Sequence, residues 1–142
     1  DGILNREMVR NLIFANPKLR KSLEKILHPA MFELFNYKES ILNKISPSSW
    51  IFYEASLILE LGRKSFFDFC VVVTADEDIK IKRLSEKRNL SEENSKKIIL
   101  TQMPDNEKIT HADYVIDNST TIENLEETAT KLLNYLTKMF ST

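Results

Sequence analysis

Lys80, Arg83 and Lys87 sit at offsets of three and seven in a charged run that follows the apolar stretch Phe69–Val73. If residues 78–88 are helical, this spacing puts the three cations on one face. If the apolar stretch is a buried strand, the helix starts where ligands of open α/β sheets gather, beyond the carboxyl ends of the strands. A cation face there suits a phosphate-bearing ligand. Arginine suits it most, because its planar fork makes paired hydrogen bonds and keeps its charge at any physiological pH. The same run also fits a solvated charged face, with Glu77, Glu86, Glu92 and Glu93 interspersed. The run continues through Leu90-Ser91-Glu92-Glu93, a capped helix start with acid in its first turn, and through Lys96, Lys97 and Lys108. Gln102-Met103-Pro104 ends this second helix. A charged helical hairpin with few large apolar residues docks weakly and opens easily, as a lid over phosphates must.

Other candidate groups carry less. His28, before Pro29, fits a structural role at a helix end as well as acid–base work, and His111 falls at the return of the hairpin. Asp113 and Asp117 flank a short apolar run and could ligate Mg²⁺, although acids also mark strand ends. Cys70, the single cysteine, lies inside the apolar stretch and reads as a buried, inert thiol. No H-E-x-x-H, G-x-S-x-G, G-x-G-x-x-G or G-x-x-x-x-G-K-[ST] occurs, so zinc-enzyme and nucleophilic-hydrolase chemistry has no motif behind it, and no metal site is expected within the chain.

The elements that must position these groups are legible in outline. Met8, Val9, Leu12 and Ile13 recur at helical spacing up to Asn16-Pro17, where Asn16 can cap a second helix with Pro17 at its first position. Leu19, Leu23, Ile26 and Leu27 give that helix an apolar face, and His28-Pro29 is expected to break it. A third helix carries Phe32, Leu34, Phe35, Ile41, Leu42 and Ile45 inward and stops at Ser46-Pro47-Ser48-Ser49. Trp50–Tyr53, Phe69–Val73 and Tyr114–Ile116 read as three strands buried on both faces. A last helix opens with Thr120 and Glu123 as a capping box, and Ile122, Leu125, Ala129, Leu132, Leu133, Leu136 and Met139 form its stripe. Together these imply an α/β fold, a parallel sheet with flanking helices.

The 142 residues are 42% hydrophobic and 29% charged, with a net charge of −1. That is enough apolar material for a core, and too little charge imbalance to draw in nucleic acid or a membrane surface; any phosphate is held by local cations. No apolar run reaches the roughly 20 residues of a membrane span, and with the lone cysteine this points to the cytoplasm. Oligomeric state is not legible. The chain starts with Asp1 and has only Gly2 and Gly62 as glycines, so a glycine-rich phosphate-binding portion is expected upstream.

An ordered set of segments resembles the bacterial dephospho-coenzyme A kinases: Asp1–Arg6 with Val9-Arg10, Ile13–Pro17, Leu23-Glu24, Leu27-His28-Pro29, Ser56–Glu60, Phe69–Thr74, Lys82-Arg83-Leu84 with Arg88, Leu90-Ser91, Gln102, and Lys108 with Ala112–Asn118. The resemblance covers nearly the whole chain; Ser56 stands where the family usually has proline. It implies a P-loop kinase fold like that of nucleoside monophosphate kinases. A helical CoA-side domain would occupy 1–49, part of the nucleotide-binding core 50–75 and 112–142, and the lid 76–111. It also implies transfer of the ATP γ-phosphoryl to the ribose 3′-hydroxyl of dephospho-CoA, with ATP and Mg²⁺ as cofactors. Arg83 would be the lid arginine at the transferring phosphates, with Arg88 a second lid cation and Asn118 beside the adenine. Leu57 and Ile58 would lie near the reacting centre, and Arg6 and Arg10 on the CoA side. Since the P-loop and the activating acid belong upstream of Asp1 in that family, the 142 residues alone are expected not to turn over. The alternatives are a non-catalytic fragment that holds a CoA-like ligand or docks on a partner, and another small-molecule kinase of related fold.

Overall fold

The computed structural model describes residues 4–140, so Asp1 to Ile3 of the opening block lie outside the described residues. The chain divides into two compact units, Asp1–Glu54 and Ala55–Thr142.

The first unit holds helices α1 (Arg6–Ala15) and α2 (Pro17–Ile45). Asn16 is the joint between them. Its backbone N–H closes α1 on the Leu12 carbonyl, and its side-chain oxygen accepts from the Lys18 and Leu19 amides at the start of α2. Such a cap contributes about 1 kcal/mol, and Pro17 at the first helical position loses nothing by lacking an N–H.

Two expectations fail in this unit. His28-Pro29 does not break the helix: α2 runs through Pro29 for 29 residues without interruption. Proline removes one donor, leaving the Lys25 carbonyl on an exposed residue where water can reach it, while the turns on both sides keep their own bonds. The expected inward faces are not buried either. Leu19, Ile26, Leu27, Leu34, Ile41, Leu42 and Ile45 are exposed, Leu23, Phe32 and Phe35 are half-buried, and no described residue of α2 is fully buried. Lengths explain this: at 1.5 Å per residue α1 spans about 15 Å against about 44 Å for α2, so one short helix cannot cover the stripe.

Trp50–Tyr53 is not a strand. It lies in irregular backbone, with Phe52 largely exposed and Tyr53 against the Phe35 ring at 4.6 Å. β-branched and aromatic composition describes a surface that could fill a sheet, but a strand also needs a neighbouring strand for its N–H and C=O groups, and the sheet among the described residues pairs only Val71–Thr74 with Tyr114–Asp117.

The second unit carries the sheet. β1 (Val71–Thr74) and β2 (Tyr114–Asp117) pair in parallel, in the register Val71↔Tyr114 to Thr74↔Asp117. Between them come α3 (Glu77–Arg88), α4 (Glu92–Leu100) and α5 (Asp105–Thr110), and α6 (Ile122–Phe140) follows β2. Ile116, Leu132 and Leu136 form the buried core, with Phe69, Val71, Tyr114 and Leu125 packed around it. The strands are not buried on both faces throughout: Val72 and Ile116 are, but Val73 is 57% and Val115 37% exposed. The α6 stripe is likewise narrower than expected, since Leu132 and Leu136, four apart, are buried while Ile122, Leu133 and Met139 are exposed. Its cap is shifted by one residue. The Thr121 hydroxyl accepts from the Asn124 amide at 3.3 Å, whereas Thr120 accepts only from the Asn124 side chain.

Candidate active site at the carboxyl edge of the sheet

The two strands end side by side, and the residues just beyond them are stitched together. The Asn118 amide donates to the Thr74 carbonyl at 2.8 Å, extending the parallel ladder by one bond. The Asp76 amide donates to the Ser119 hydroxyl at 2.9 Å, and both the Ser119 amide and its hydroxyl donate to Asp117 Oδ1. This bracing fixes the take-off of α3 from β1 against the exit of β2.

From the second turn of α3, Arg83 reaches back to this edge. Its guanidinium donates to the Asn118 carbonyl at 2.8 Å, and the residue is half-buried. The helix that carries it is held by Ile81, buried at 5%, and by Lys80, whose ammonium pairs with Asp105 of α5. Beyond Arg83 the helix ends on Asn89, which adopts a left-handed φ of 50°, a conformation asparagine tolerates. The Ser91 hydroxyl then accepts from the Asn94 amide and opens α4, as its sequence requires. Ser95, fully buried, lets α4 lie close to α3; its hydroxyl stands 3.4 Å from that of Ser85.

The cations of the hairpin therefore divide into two groups. Lys80 pairs with Asp105, Lys96 with Glu92, Lys97 with Glu93, and Lys108 with Glu60. The Glu92 and Glu93 pairs lie on the open surface of α4, where exposed ion pairs contribute little. Arg83, Lys82, Lys87 and Arg88 form no ion pair among the described residues; of these only Arg83 is half-buried, and its guanidinium donates to a neutral carbonyl. A guanidinium has five N–H donors, so it brings an uncompensated positive charge and spare donors to the strand ends.

The sequence-derived site residues are only partly gathered. Arg83 and Asn118 are in contact. Arg88 lies in the last turn of α3, exposed, where a cation favours the helix dipole. Leu57 and Ile58 are half-buried in the turn 56–62, their carbonyls accepting from Leu61 and Arg63. Arg6 and Arg10 belong to the first unit, both exposed on α1. A cavity of about 440 Å³ on α1 is lined by Asn5, Glu7, Met8, Asn11, Leu12 and Ala15, and not by those arginines. His28 is inside α2, half-buried, and not at a helix end.

Asp113 and Asp117 sit at opposite ends of β2 and do not fit a magnesium ion. Asp113 accepts from the Cys70 amide at 2.8 Å and from Lys64 at 3.0 Å, which hold its carboxyl below the usual value. Asp117 is taken up by Ser119. Among the described residues no cluster of three metal-ligating side chains occurs. Cys70 is buried as expected, and burial pushes its thiol up, so the thiolate is disfavoured. His111, exposed, borders a cavity of about 480 Å³ with Leu59, Lys64, Phe67 and Asp113, at the amino end of the strands.

Sequence reasoning assigned no role to Glu60, although it stands in a segment singled out for its resemblance. Glu60 Oε1 accepts from the Met103 amide at 3.1 Å and pairs with Lys108 at 3.0 Å. The two side chains are only 18% and 15% exposed, so the pair is well shielded from solvent. Burial alone would raise the Glu60 carboxyl, but its own amide, Lys108 and the Met103 amide together outweigh that and hold it below its usual value. A contact across 43 positions leaves no periodic trace in the sequence.

The family model described as dephospho-CoA kinase matches residues 1–124. A dephospho-CoA kinase of Syntrophotalea carbinolica is 34% identical over 132 residues, covering 93% of this chain and 62% of that protein. One from Aquifex aeolicus is 33% identical over 138 residues, covering 97% and 68%. The chain thus spans roughly two thirds of the length of these curated relatives. A crystal structure from Thermus thermophilus superposes with a TM-score of 0.75 at 28% identity, over 95% of this chain and 69% of that one. A Campylobacter jejuni dephospho-CoA kinase shares the fold, with a TM-score of 0.65 at 23% identity over 97% and 68%.

Proposed function

The chain belongs to the dephospho-CoA kinase family, and from that premise we propose that it forms the lid, the CoA-side helices and part of the nucleotide core of an enzyme that phosphorylates the ribose 3′-hydroxyl of dephospho-CoA with ATP. The observation that carries the reading is the half-buried, carboxylate-free guanidinium of Arg83 at the carboxyl edge of the parallel sheet. Phosphoryl transfer asks a protein mainly for positioning and for charge at the equatorial oxygens in flight. Arg83 supplies that charge from a helix braced at its root, and exchanging the Asn118 carbonyl for a phosphate oxygen gains a charge-assisted bond.

Residues 76–111 act as the lid, with Arg88 a second cation for ATP and the Asn118 backbone beside the adenine. Leu57 and Ile58 line the reacting centre, and Arg6 and Arg10 on α1 meet the CoA portion. Mg²⁺ retains several waters and binds largely through substrate phosphates, so it enters with ATP and not through Asp113 or Asp117. No described helix is long and apolar enough to cross a membrane, and we place the reaction in the cytoplasm.

The test is ATP-dependent phosphorylation by the complete gene product, followed by mass spectrometry of the product. Dephospho-CoA is expected to gain one phosphoryl group at the 3′-position, with nucleoside monophosphates unreacted. Phosphorylation of a nucleoside monophosphate in its place would assign the chain to a different small-molecule kinase.

A further inference from the structure

Arg83 is useful only if it meets the phosphates at one place and angle, and α3 alone does not fix that. α3 leaves β1 after two residues and, past Arg83, packs against α4. What steadies it from the side is α5, through the ion pair between Lys80 and Asp105. Lys80 and Arg83, three residues apart, share a face of α3, so the position of Lys80 sets that of the arginine. α5 is itself held from its far side. Glu60 takes the Met103 amide just before α5 and the Lys108 ammonium within it, and Gln102 Oε1 lies 3.5 Å from the same ammonium. The second carboxylate oxygen of Glu60 is buried without a partner among the described residues, so the hold on α5 passes entirely through Oε1.

We propose that Glu60 is a positioning residue for the lid arginine: with Lys108 it pins α5, α5 pins Lys80 through Asp105, and this relay sets where Arg83 meets the strand ends. The inference rests on the kinase reading of Arg83 and adds to it a determinant that touches neither substrate. It also divides the lid. Met103 and α5 are the fixed post, tied to the turn 56–62, whereas α4, bonded among the described residues to its neighbours in sequence and to α3, is the part free to swing. The pair is suited to the task because it is shielded: a half-buried carboxylate that loses its ammonium is left with an uncompensated charge, so the relay has one favoured arrangement.

The test is a mutant cycle in the complete gene product, with kcat and KM for ATP and dephospho-CoA measured separately. Glu60→Gln and Lys108→Gln are each expected to lower kcat about tenfold to a hundredfold, the scale of a small misplacement of a reacting group, with the KM for dephospho-CoA unchanged. Lys108→Arg, which keeps the charge, restores most of the loss. In an Arg83→Ala background, Glu60→Gln is expected to cost nothing further, because the residue it positions is gone. Hydrogen exchange at the Met103 amide rises at least about tenfold in Glu60→Gln, while amides of β2 stay protected. Multiplicative losses in the double variant, or an unchanged kcat in both Glu60→Gln and Lys108→Gln, would overturn the proposal while leaving the kinase reading intact. If Glu60→Gln does not fold, Lys108→Gln is run through the same cycle. A silent Arg83→Ala in an active kinase removes the role assigned to Arg83, and the relay with it.

Discussion

Replacing Arg83 with alanine lowers kcat of the complete gene product by about 10²–10³-fold, the usual cost of removing one preorganised donor from a developing charge, and leaves the KM for dephospho-CoA nearly unchanged. The expectation follows from where the side chain sits and what it lacks. It is half-buried, so its field is less screened than that of the lysines on α4. It has no carboxylate partner among the described residues, so no local ion pair competes with an incoming phosphate. It reaches the strand ends from a helix whose root is tied to β2 through Ser119. An interaction of this kind is stronger when charge spreads over the phosphoryl oxygens than in the ground state, so its loss appears in kcat. Arg83→Lys recovers only part of the rate, because an ammonium cannot hold the Asn118 carbonyl and two phosphate oxygens in one plane. Losses shared equally between kcat and KM would mean that Arg83 binds substrate without favouring the transition state.

Leu136→Ala destabilises the second unit by about 2–5 kcal/mol, the range for a fully packed leucine that leaves a cavity behind. Leu136 is 6% exposed and packs with Ile116 and Leu132 in the buried core. Leu133, three residues earlier on the same helix, is 50% exposed, and Leu133→Ala stays within about 0.5–1 kcal/mol. Urea unfolding followed by circular dichroism separates the two: a clear fall in midpoint for the first at constant slope, and little change for the second. Equal effects would mean that α6 packs through a broader face than this one.

The contrast between these two leucines also shows where the sequence runs out. A hydrophobic stripe marks candidates for burial, but which of them reach the interior depends on what covers them. The helix α6 lies against β2 and buries two members of its stripe, while α2, paired with the shorter α1 in its unit, has no fully buried residue among those described. Local chemistry is more legible. Asn16-Pro17 and Ser91 cap the helices they were expected to cap, since a cap is a bond between neighbours in sequence. The strands Val71–Thr74 and Tyr114–Asp117 fall within one or two residues of the apolar runs that predict them. Pro29 and Trp50–Tyr53 depart from expectation for a shared reason: local preference points one way, and the surroundings decide otherwise. A long helix absorbs one missing donor, and an aromatic run without a pairing strand stays irregular.

The site divides along the same line. Arg83 is legible because helical spacing and a preceding strand place it at the sheet edge, and its resemblance to a lid arginine names the chemistry. The ion pairs of Lys80 with Asp105 and of Glu60 with Lys108 join different elements, the first across 25 positions. Nothing in their spacing tells that two of the lid's expected phosphate cations are spent on carboxylates. That Arg83, unlike the equally unpaired but exposed Lys87 and Arg88, is half-buried at the strand ends emerges only from the fold.

The most direct measurement is a crystal structure of the complete gene product with dephospho-CoA, ADP and a planar mimic of the transferring phosphoryl group. The account predicts the Arg83 guanidinium within hydrogen-bond distance of the mimic's equatorial atoms, at the carboxyl ends of β1 and β2, with Lys108 still on Glu60. A mimic bound elsewhere, with Arg83 pointing to solvent, would contradict it.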